Sequence, residues 1–430
     1  MNERTIAVVG LGYIGLPTAA VLAASGSKVI GVDIDARAVD TINAGRIHIV
    51  EPGLAEIVQK AVADGNLRAT TTAEPADAFL IAVPTPFRDD HKPDLRYVEA
   101  AGRSIAPHLR PGNIVILEST SPVGATEQLA KWLADARPDL RFPGTNGAAT
   151  ASVDIHLAYC PERVLPGNVI VELVSNDRVI GGMTPTCSAA AADVYRLFVE
   201  GECIITSSRT AEMCKLTENS FRDVNIAFAN ELSMICDELS IDVWELISLA
   251  NRHPRVNILQ PGPGVGGHCI AVDPWFIVHS SPETARLIRA AREINDFKPA
   301  WVIDKVAQEA ARLRTGRTNP GEVTIACLGL SFKANIDDLR ESPALSICTD
   351  LAMSTDFRVL AVEPHIAELP TALADQVTLV GVETALAEAD IVLLLVDHKE
   401  FRDLLVTQLS ATIIDTRGIW RRSRSMDGNR

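Results

Sequence analysis

A glycine pattern near the start of the chain limits the fold more than any other feature. Gly10-Leu11-Gly12-Tyr13-Ile14-Gly15 follows the short apolar run TIAVVG (5–10) and opens a helical stretch of small residues. In such a strand–turn–helix unit the first glycine makes the tight turn and the second lets a pyrophosphate approach the backbone. The third lets the helix pack on the strand. The helix start, at Tyr13 and Ile14, turns its amides and positive dipole end toward the phosphates. A second strand over 29–32 ends at Asp33, where a carboxylate can accept both ribose hydroxyls and would repel the extra phosphate of NADP. Glycines alone often just make turns. With the strand, the helix and Asp33 around them, they predict an NAD site built from Gly10, Gly12, Tyr13, Ile14, Gly15 and Asp33.

The same alternation continues. Further β-type runs lie at 78–83, 114–117, 155–159 and 178–180, with helical stretches such as 53–63 and 126–136 between them. Strands alternating with helices imply a doubly wound parallel sheet. Within it, FPGTNGAATAS (142–152) reads as a loop. From 210 to 251 the pattern is almost unbroken helix, and 282–313 predicts another long helix. TGRTNPGE (315–322) reads as a linker, and a second β–α alternation starts at Val323 (VTIACLG, FRVLAVEP, QVTLVG, DIVLLLV, ATIIDT). The expected fold class is α/β: two Rossmann-like doubly wound parallel-sheet domains joined by a central all-helical domain, over 1–205, 206–314 and 315–430. A chain of 430 residues has room for them. The two α/β ends invite comparison with each other, and RRSRSMDGNR (421–430) reads as a tail.

Charge and cysteine usage narrow the partners. Lys plus Arg number 40 against 55 Asp plus Glu, a formal net charge of −15, which disfavours nucleic acid and anionic membranes. The uncharged stretch Thr5–Ala24 carries Gly10, Gly12, Gly15 and Pro17, so it reads neither as an export signal nor as a membrane span. Eight scattered cysteines form no CxxC pair and no metal-ligand spacing, as expected of reduced thiols in a cytoplasmic protein without a metal.

Several segments carry chemistry. Loops after strands at 82–86 and 118–124 put Thr85, Thr120 and Thr126 at the carboxyl ends of the sheet, where ligands sit; alone, such residues are more often helix caps. Lys215, Asn219 and Arg222 share one helical face, and a Lys and an Asn one turn apart can both donate to one oxyanion. Gly262-Pro263-Gly264-Val265-Gly266-Gly267-His268-Cys269 suggests close backbone approach to a ligand and an exposed thiol. Asp273-Pro274 looks like the cap and first turn of a helix whose start would favour the Cys269 thiolate. Glu162, after the strand at Tyr159, could activate water or make a surface ion pair. Basic groups gather at 251–257 and at Lys333 with Arg340, as an anionic substrate would require and as surface ion pairs would also explain.

Over essentially its whole length the chain resembles the UDP-glucose/GDP-mannose dehydrogenase family. The resemblance rests on GLGYIGLPTAA (10–20), IHIVEP (47–52), IAVPTPF (81–87), LESTSPVG (117–124), YCPERVLPG (159–167), AEMCKLTENSFRDVNIAFANE (211–231), NRHPRVNILQPGPGVGGHCIAVDPWF (251–276) and NIDDLRESP (335–343). It departs at Ala334, where proline is expected, while Lys333 is kept. It implies a four-electron, two-NAD oxidation of a UDP-sugar C6 alcohol to a carboxylate, nearest the branch acting on UDP-N-acetyl-D-mannosamine, for surface polysaccharide. Sister UDP-sugars (glucose, N-acetylglucosamine, N-acetylgalactosamine) are the alternative. A two-electron β-hydroxyacid dehydrogenase lacks a reason for the Cys269 loop, and a non-catalytic scaffold lacks one for intact Lys215, Asn219, Cys269 and Asp273. The resemblance implies that Lys215 and Asn219 steady the alkoxide, Asp273 takes the proton and Cys269 forms the thiohemiacetal and thioester. Glu162 or a water held by Thr120 would then assist hydrolysis. It further implies a nucleotide-sugar site lined by Arg163, Val164, Arg222, Gly266, Phe332 and Lys333, and Arg340 and Arg417 beside the cofactor. Lastly, it implies a homodimer in which His253 and Arg255 reach the neighbour's substrate.

Overall fold

The computed structural model describes residues 4–88, 91–144, 153–165, 167–267, 269–315, 322–371, 373–406 and 409–420. Most of the expected 142–152 loop and 315–322 linker, and the whole 421–430 tail, lie outside the described residues. The chain forms two compact units, Met1–Glu218 and Asn219–Arg430.

The first unit alternates strand and helix: β1 (Thr5–Val9), α1 (Gly15–Ala24), β2 (Lys28–Val32), α2 (Ala36–Asn43), α3 (Leu54–Ala63), β3 (Leu67–Thr70), β4 (Ala78–Ile81), α4 (Arg96–Ile105), β5 (Ile114–Leu117), α5 (Ala125–Ala136), β6 (His156–Tyr159), α6 (Val169–Ser175), β7 (Arg178–Gly182), α7 (Pro185–Tyr195) and β8 (Cys203–Ser207). The strands lie in the order β3-β2-β1-β4-β5-β6-β7-β8. Helices cover both faces, so the central strands β1, β4 and β5 are apolar on both sides. Along β1, Ile6 and Val8 enter one core cluster while Ala7 and Val9 enter the other. The edge strands β3 (LRAT) and β8 (CIITS) are only partly buried and do not stand out in the sequence.

One expectation needs correction: the first sheet is not parallel throughout, because β6 and β7 pair antiparallel, Tyr159 opposite Gly181. A parallel return needs a full crossover, usually a helix running back along the sheet, and α6 has only seven residues. The reversal brings the start of β7 beside the segment that leaves β6, with consequences for Glu162.

Helix α8 (Ser208–Glu238) begins in the first unit and continues into the second. There follow α9 (Val243–Ala250), α10 (Asp273–Ser280), α11 (Arg286–Thr315), β9 (Val323–Leu328), α12 (Pro343–Met353), β10 (Phe357–Val362), β11 (Thr378–Leu379), α13 (Val382–Glu388), β12 (Ile391–Leu394), α14 (Lys399–Arg402) and β13 (Thr412–Asp415). The sheet β11-β10-β9-β12-β13 is parallel, as expected. The predicted 210–251 helix is broken. Ser240 adopts φ 56°, and the Asp242 carboxylate accepts from Trp244 and Glu245 amides to start α9 afresh. Among the described residues, no helix is long and apolar enough to cross a membrane.

Candidate active site

The glycine turn of the first unit has the geometry of a phosphate cradle. Gly10 sits at φ +92°, and a Cβ there would lie 2.6 Å from the Ala82 carbonyl oxygen. A Cβ on Gly15 would lie 1.7 Å from the Gly10 carbonyl oxygen, so the third glycine is required by the turn itself. At Gly12 a Cβ would meet nothing within 4 Å, which leaves open the place where a pyrophosphate would rest. Tyr13 is exposed beside it and Ile14 is the residue before the first turn of α1, whose leading amides have no partner within the helix. Asp33 follows β2; one carboxylate oxygen accepts from the Leu11 amide at 2.8 Å and the other from Asp35 at 2.9 Å. The cradle fits a dinucleotide.

Beyond β4 and β5 the structure joins two of the predicted threonines: the Thr85 hydroxyl donates to the Thr120 carbonyl. Thr126 is a correction. It is 0% exposed, and its hydroxyl and amide both donate to Glu212 of α8, which also takes the Gly124 amide. It therefore fastens the 118–124 loop to α8 and does not face a ligand. Burial raises the Glu212 carboxyl above its ordinary range despite these donors.

Glu162 is neither exposed nor in a surface pair. Its carboxylate bridges the Arg163 amide at 2.7 Å and the buried Arg178 guanidinium at 2.7 Å. Arg178 leads β7, so this pair exists because of the antiparallel reversal. Beside it lies a buried carboxyl absent from the sequence expectations. Glu118 accepts from the Tyr195 hydroxyl at 2.6 Å and has its second oxygen buried without a partner. Desolvation, with the charge of Glu162 adding to it, pushes Glu118 up to about 7. Arg163 itself forks onto Glu218 of α8, at 3.1 and 2.8 Å, and Val164 packs against the core on the α1 face. Glu51 accepts from the Gly167 and Val169 amides, pinning the end of the same loop.

Lys215 and Asn219 are half-buried one turn apart on α8, and Arg222 is exposed. In the second unit the Asn219 amide donates to the Asp273 carboxylate. Asp273 is thus the first residue of α10 rather than its cap; the cap position is Val272, and the side chain is turned to Asn219. Cys269 is exposed in the turn before α10, its carbonyl accepting from the Val272 and Asp273 amides. The glycines before it do approach something closely, but that something is protein. A Cβ at Gly266 would lie 2.3 Å from the Glu341 carbonyl oxygen and 2.9 Å from Phe332 Cβ, and one on Gly267 would meet the Phe332 ring at 3.0 Å. At Gly262 it would strike the Arg417 guanidinium at 2.5 Å. These three glycines are therefore required by intramolecular packing, which sets Phe332, Glu341 and Arg417 against the 262–267 loop.

That loop hangs on a buried polar chain that sequence patterning does not reveal. The Gly262 amide donates to Asn230, Asn230 to Asn295, Asn295 to Asp223, and Arg292 to Asp223. Arg417 is held by Asp397 and the exposed Arg340 by Asp338, each through two nitrogens. His253 and Arg255 are exposed on a loop closed at its base by Asn251, which exchanges two hydrogen bonds with Ile258. Lys333 is exposed.

Three sequence models of one family match in order: its NAD binding domain over 4–199, its central domain over 209–297 and its UDP binding domain over 326–422. The chain belongs to the UDP-glucose/GDP-mannose dehydrogenase family. Its members are NAD-dependent nucleotide-sugar dehydrogenases. The chain is 66% identical to an NDP-N-acetyl-D-galactosaminuronic acid dehydrogenase of Ralstonia nicotianae, covering 99% of this chain and 98% of the relative. It is 62% identical to the UDP-N-acetyl-D-mannosamine dehydrogenase of Escherichia coli K12, covering 98% and 100%. Among solved structures, a UDP-N-acetyl-mannosamine dehydrogenase of Staphylococcus aureus superposes with a TM-score of 0.83 at 44% identity, over 96% of this chain and 95% of that one.

Proposed function

We propose that this family member oxidises the C6 alcohol of UDP-N-acetyl-D-mannosamine to the carboxylate. The observation that carries the mechanism is the Asn219–Asp273 hydrogen bond beside an exposed Cys269 at the start of α10. NAD, held by Gly10, Gly12, Tyr13, Ile14, Gly15 and Asp33 with Thr85 nearby, supplies the hydride acceptor for both oxidations. Lys215 and Asn219 steady the developing alkoxide, and Asp273, fixed by Asn219, receives the proton. The Cys269 thiolate adds to the aldehyde as a thiohemiacetal, whose oxidation leaves a thioester for water to cleave. Glu162, paired with Arg178, and Thr120 hold that water. Arg163, Val164, Arg222, Gly266, Phe332 and Lys333 line the nucleotide sugar, and Arg340 and Arg417 serve the cofactor side. Residues 1–205, 206–314 and 315–430 divide as cofactor, helical and UDP domains, which the three matched family segments support.

The active form is proposed to be a homodimer formed on α8. Phe221, Phe228 and Ile235 recur every seventh residue and stay exposed, Phe221 at 71%. A second copy would cover that stripe and receive His253 and Arg255 at its substrate. A cytoplasmic location suits eight cysteines standing as thiols, and the UDP-uronate product suits a glycosyl donor for surface polysaccharide. A second reading, UDP-N-acetyl-D-galactosamine as substrate, is favoured by the 66% identical relative.

The test is NADH formed per sugar at completion with excess NAD. Two NADH per UDP-N-acetyl-D-mannosamine, with uronate as product, is expected. One per sugar would remove Cys269 from the reaction, and activity on UDP-N-acetyl-D-galactosamine alone would favour the second reading.

A further inference from the structure

The two α/β units use the same turn for different ends. In the first, Gly10 (φ +92°) follows β1, donates to Val32 O at 2.8 Å, and leaves the Leu11 amide on Asp33. In the second, Gly329 (φ +91°) follows β9, donates to Val362 O at 2.8 Å, and leaves the Leu330 amide on Glu363 at 2.7 Å. Even the return bond repeats, from Asp35 N to Asp33 and from His365 N to Glu363. Glu363 thus stands where Asp33, the ribose carboxylate, stands in the first unit. Being one methylene longer, it reaches further, taking the Ser331 amide at 3.1 Å and the ring of His398 at 3.1 Å. His398 is the fourth residue past the end of β12, as Thr85 is past β4, and it is wholly buried.

We propose that Glu363 and His398 are positioning residues for the nucleotide-sugar site. The ribose-carboxylate position of the second unit has become an internal staple for the Leu330–Asn335 loop, and it takes no dinucleotide. This inference rests on the reading that Phe332 and Lys333 line that site. His398 Nδ1 accepts from the Asn335 amide at 2.9 Å, and Asn335 is held in the left-handed region at φ 64° with its side chain accepting from the Lys399 amide. The Ser331 hydroxyl, 3.3 Å from His398 Nε2, donates to the Lys333 carbonyl at 2.7 Å. The Lys333 carbonyl, and the Ser331 and Asn335 amides on either side of Lys333, are therefore tied to one buried network, and Phe332 is pressed on Gly266 and Gly267, just ahead of Cys269. Glu363, His365 and His398 also bring ligand atoms within 4.8 Å of one another, but this is no metal site. The Asn335 amide occupies Nδ1, so Nε2 carries the proton and donates to Glu363.

The test is steady-state kinetics of the full-length enzyme with His398→Phe, which keeps the ring against Phe401, and with the milder Ser331→Ala. Expected is a rise of about tenfold in KM for the UDP-sugar with His398→Phe, the loss of one buried hydrogen bond's worth of order, with KM for NAD within about twofold. In a Lys333→Ala background the same change should add little. Unchanged UDP-sugar KM in both variants, with native thermal melts, would overturn the staple, as would loss of kcat with both KM values unmoved, the signature of a merely structural role. If Lys333→Ala and Phe332→Ala themselves leave the UDP-sugar KM unchanged, the failure is instead in the reading that this loop lines the site. Should His398→Phe not fold, Ser331→Ala alone decides, with a threefold or greater rise in the UDP-sugar KM expected (order of magnitude from one exposed-to-buried hydrogen bond).

Discussion

Burying a carboxyl costs little while it is protonated and much once it ionises, and Glu118 offers a clean measure of that cost. It is 3% exposed, with one oxygen bonded to Tyr195 and the other unpartnered. Desolvation first, and the Glu162 charge second, lift it from the ordinary 4.5 to about 7. That gap corresponds to about 3 kcal/mol. Because the folded-state value is raised, the contribution is fully present below pH 4.5 and is lost as pH rises to 7, above which the fold carries an ionised carboxylate in an apolar setting. Glu118→Gln removes the titration. Its amide leaves two donors unsatisfied where the protonated carboxyl leaves one, a net cost of about 1 kcal/mol, so the variant should be slightly less stable than the parent at pH 5. At pH 8 it should be more stable by about 2 kcal/mol. The assay is urea unfolding at the two pH values, followed by hydrogen exchange of the β5 peptides so that the first unit is read on its own. A stability difference equal at pH 5 and pH 8 would refute the reasoning.

Three other outcomes follow from the same structure. Lys298 is buried against Ser233 and the Trp301 ring, and burial pushes it down to about 7. Since the unfolded chain holds this proton up to higher pH, stability rises between pH 7 and 9, and Lys298→Met should outlast the parent in urea by about 2 to 3 kcal/mol more at pH 7 than at pH 9; a pH-independent difference would disprove it. Cys269→Ser should halt at the aldehyde with one NADH per sugar, and undiminished uronate production would exclude the thiol. If the proposed dimer forms on α8, Phe221→Asp with Phe228→Asp should shift the chain to monomer in sedimentation velocity, and a dimer unaltered by both changes would place the interface elsewhere.

What could be read from sequence depended on how far apart the interacting groups lie. The Gly10–Gly15 turn and Asp33 were readable because backbone sterics act within one strand–turn–helix unit, and only glycine fits against Ala82 and the Gly10 carbonyl. The edge strands β3 and β8 were not, since an edge strand is only partly buried and its sequence carries little pattern, whereas the edge strand β11 fell within the QVTLVG run. At 262–267 the glycines announced close approach, yet sequence could not say to what; the partners Phe332, Glu341 and Arg417 come from far along the chain. The partners of Glu162 and Thr126 could not be read for the same reason, for Arg178 and Glu212 reach them only through tertiary contact. The sequence by itself determined the alternating α/β architecture and the glycine turn before α1, because these follow from local backbone geometry and periodicity. The tertiary structure alone decided the antiparallel reversal, the buried charge pairs and the conversion of Glu363 from ribose acceptor to staple, because a buried polar group is defined by its neighbours and not by its own place in the chain.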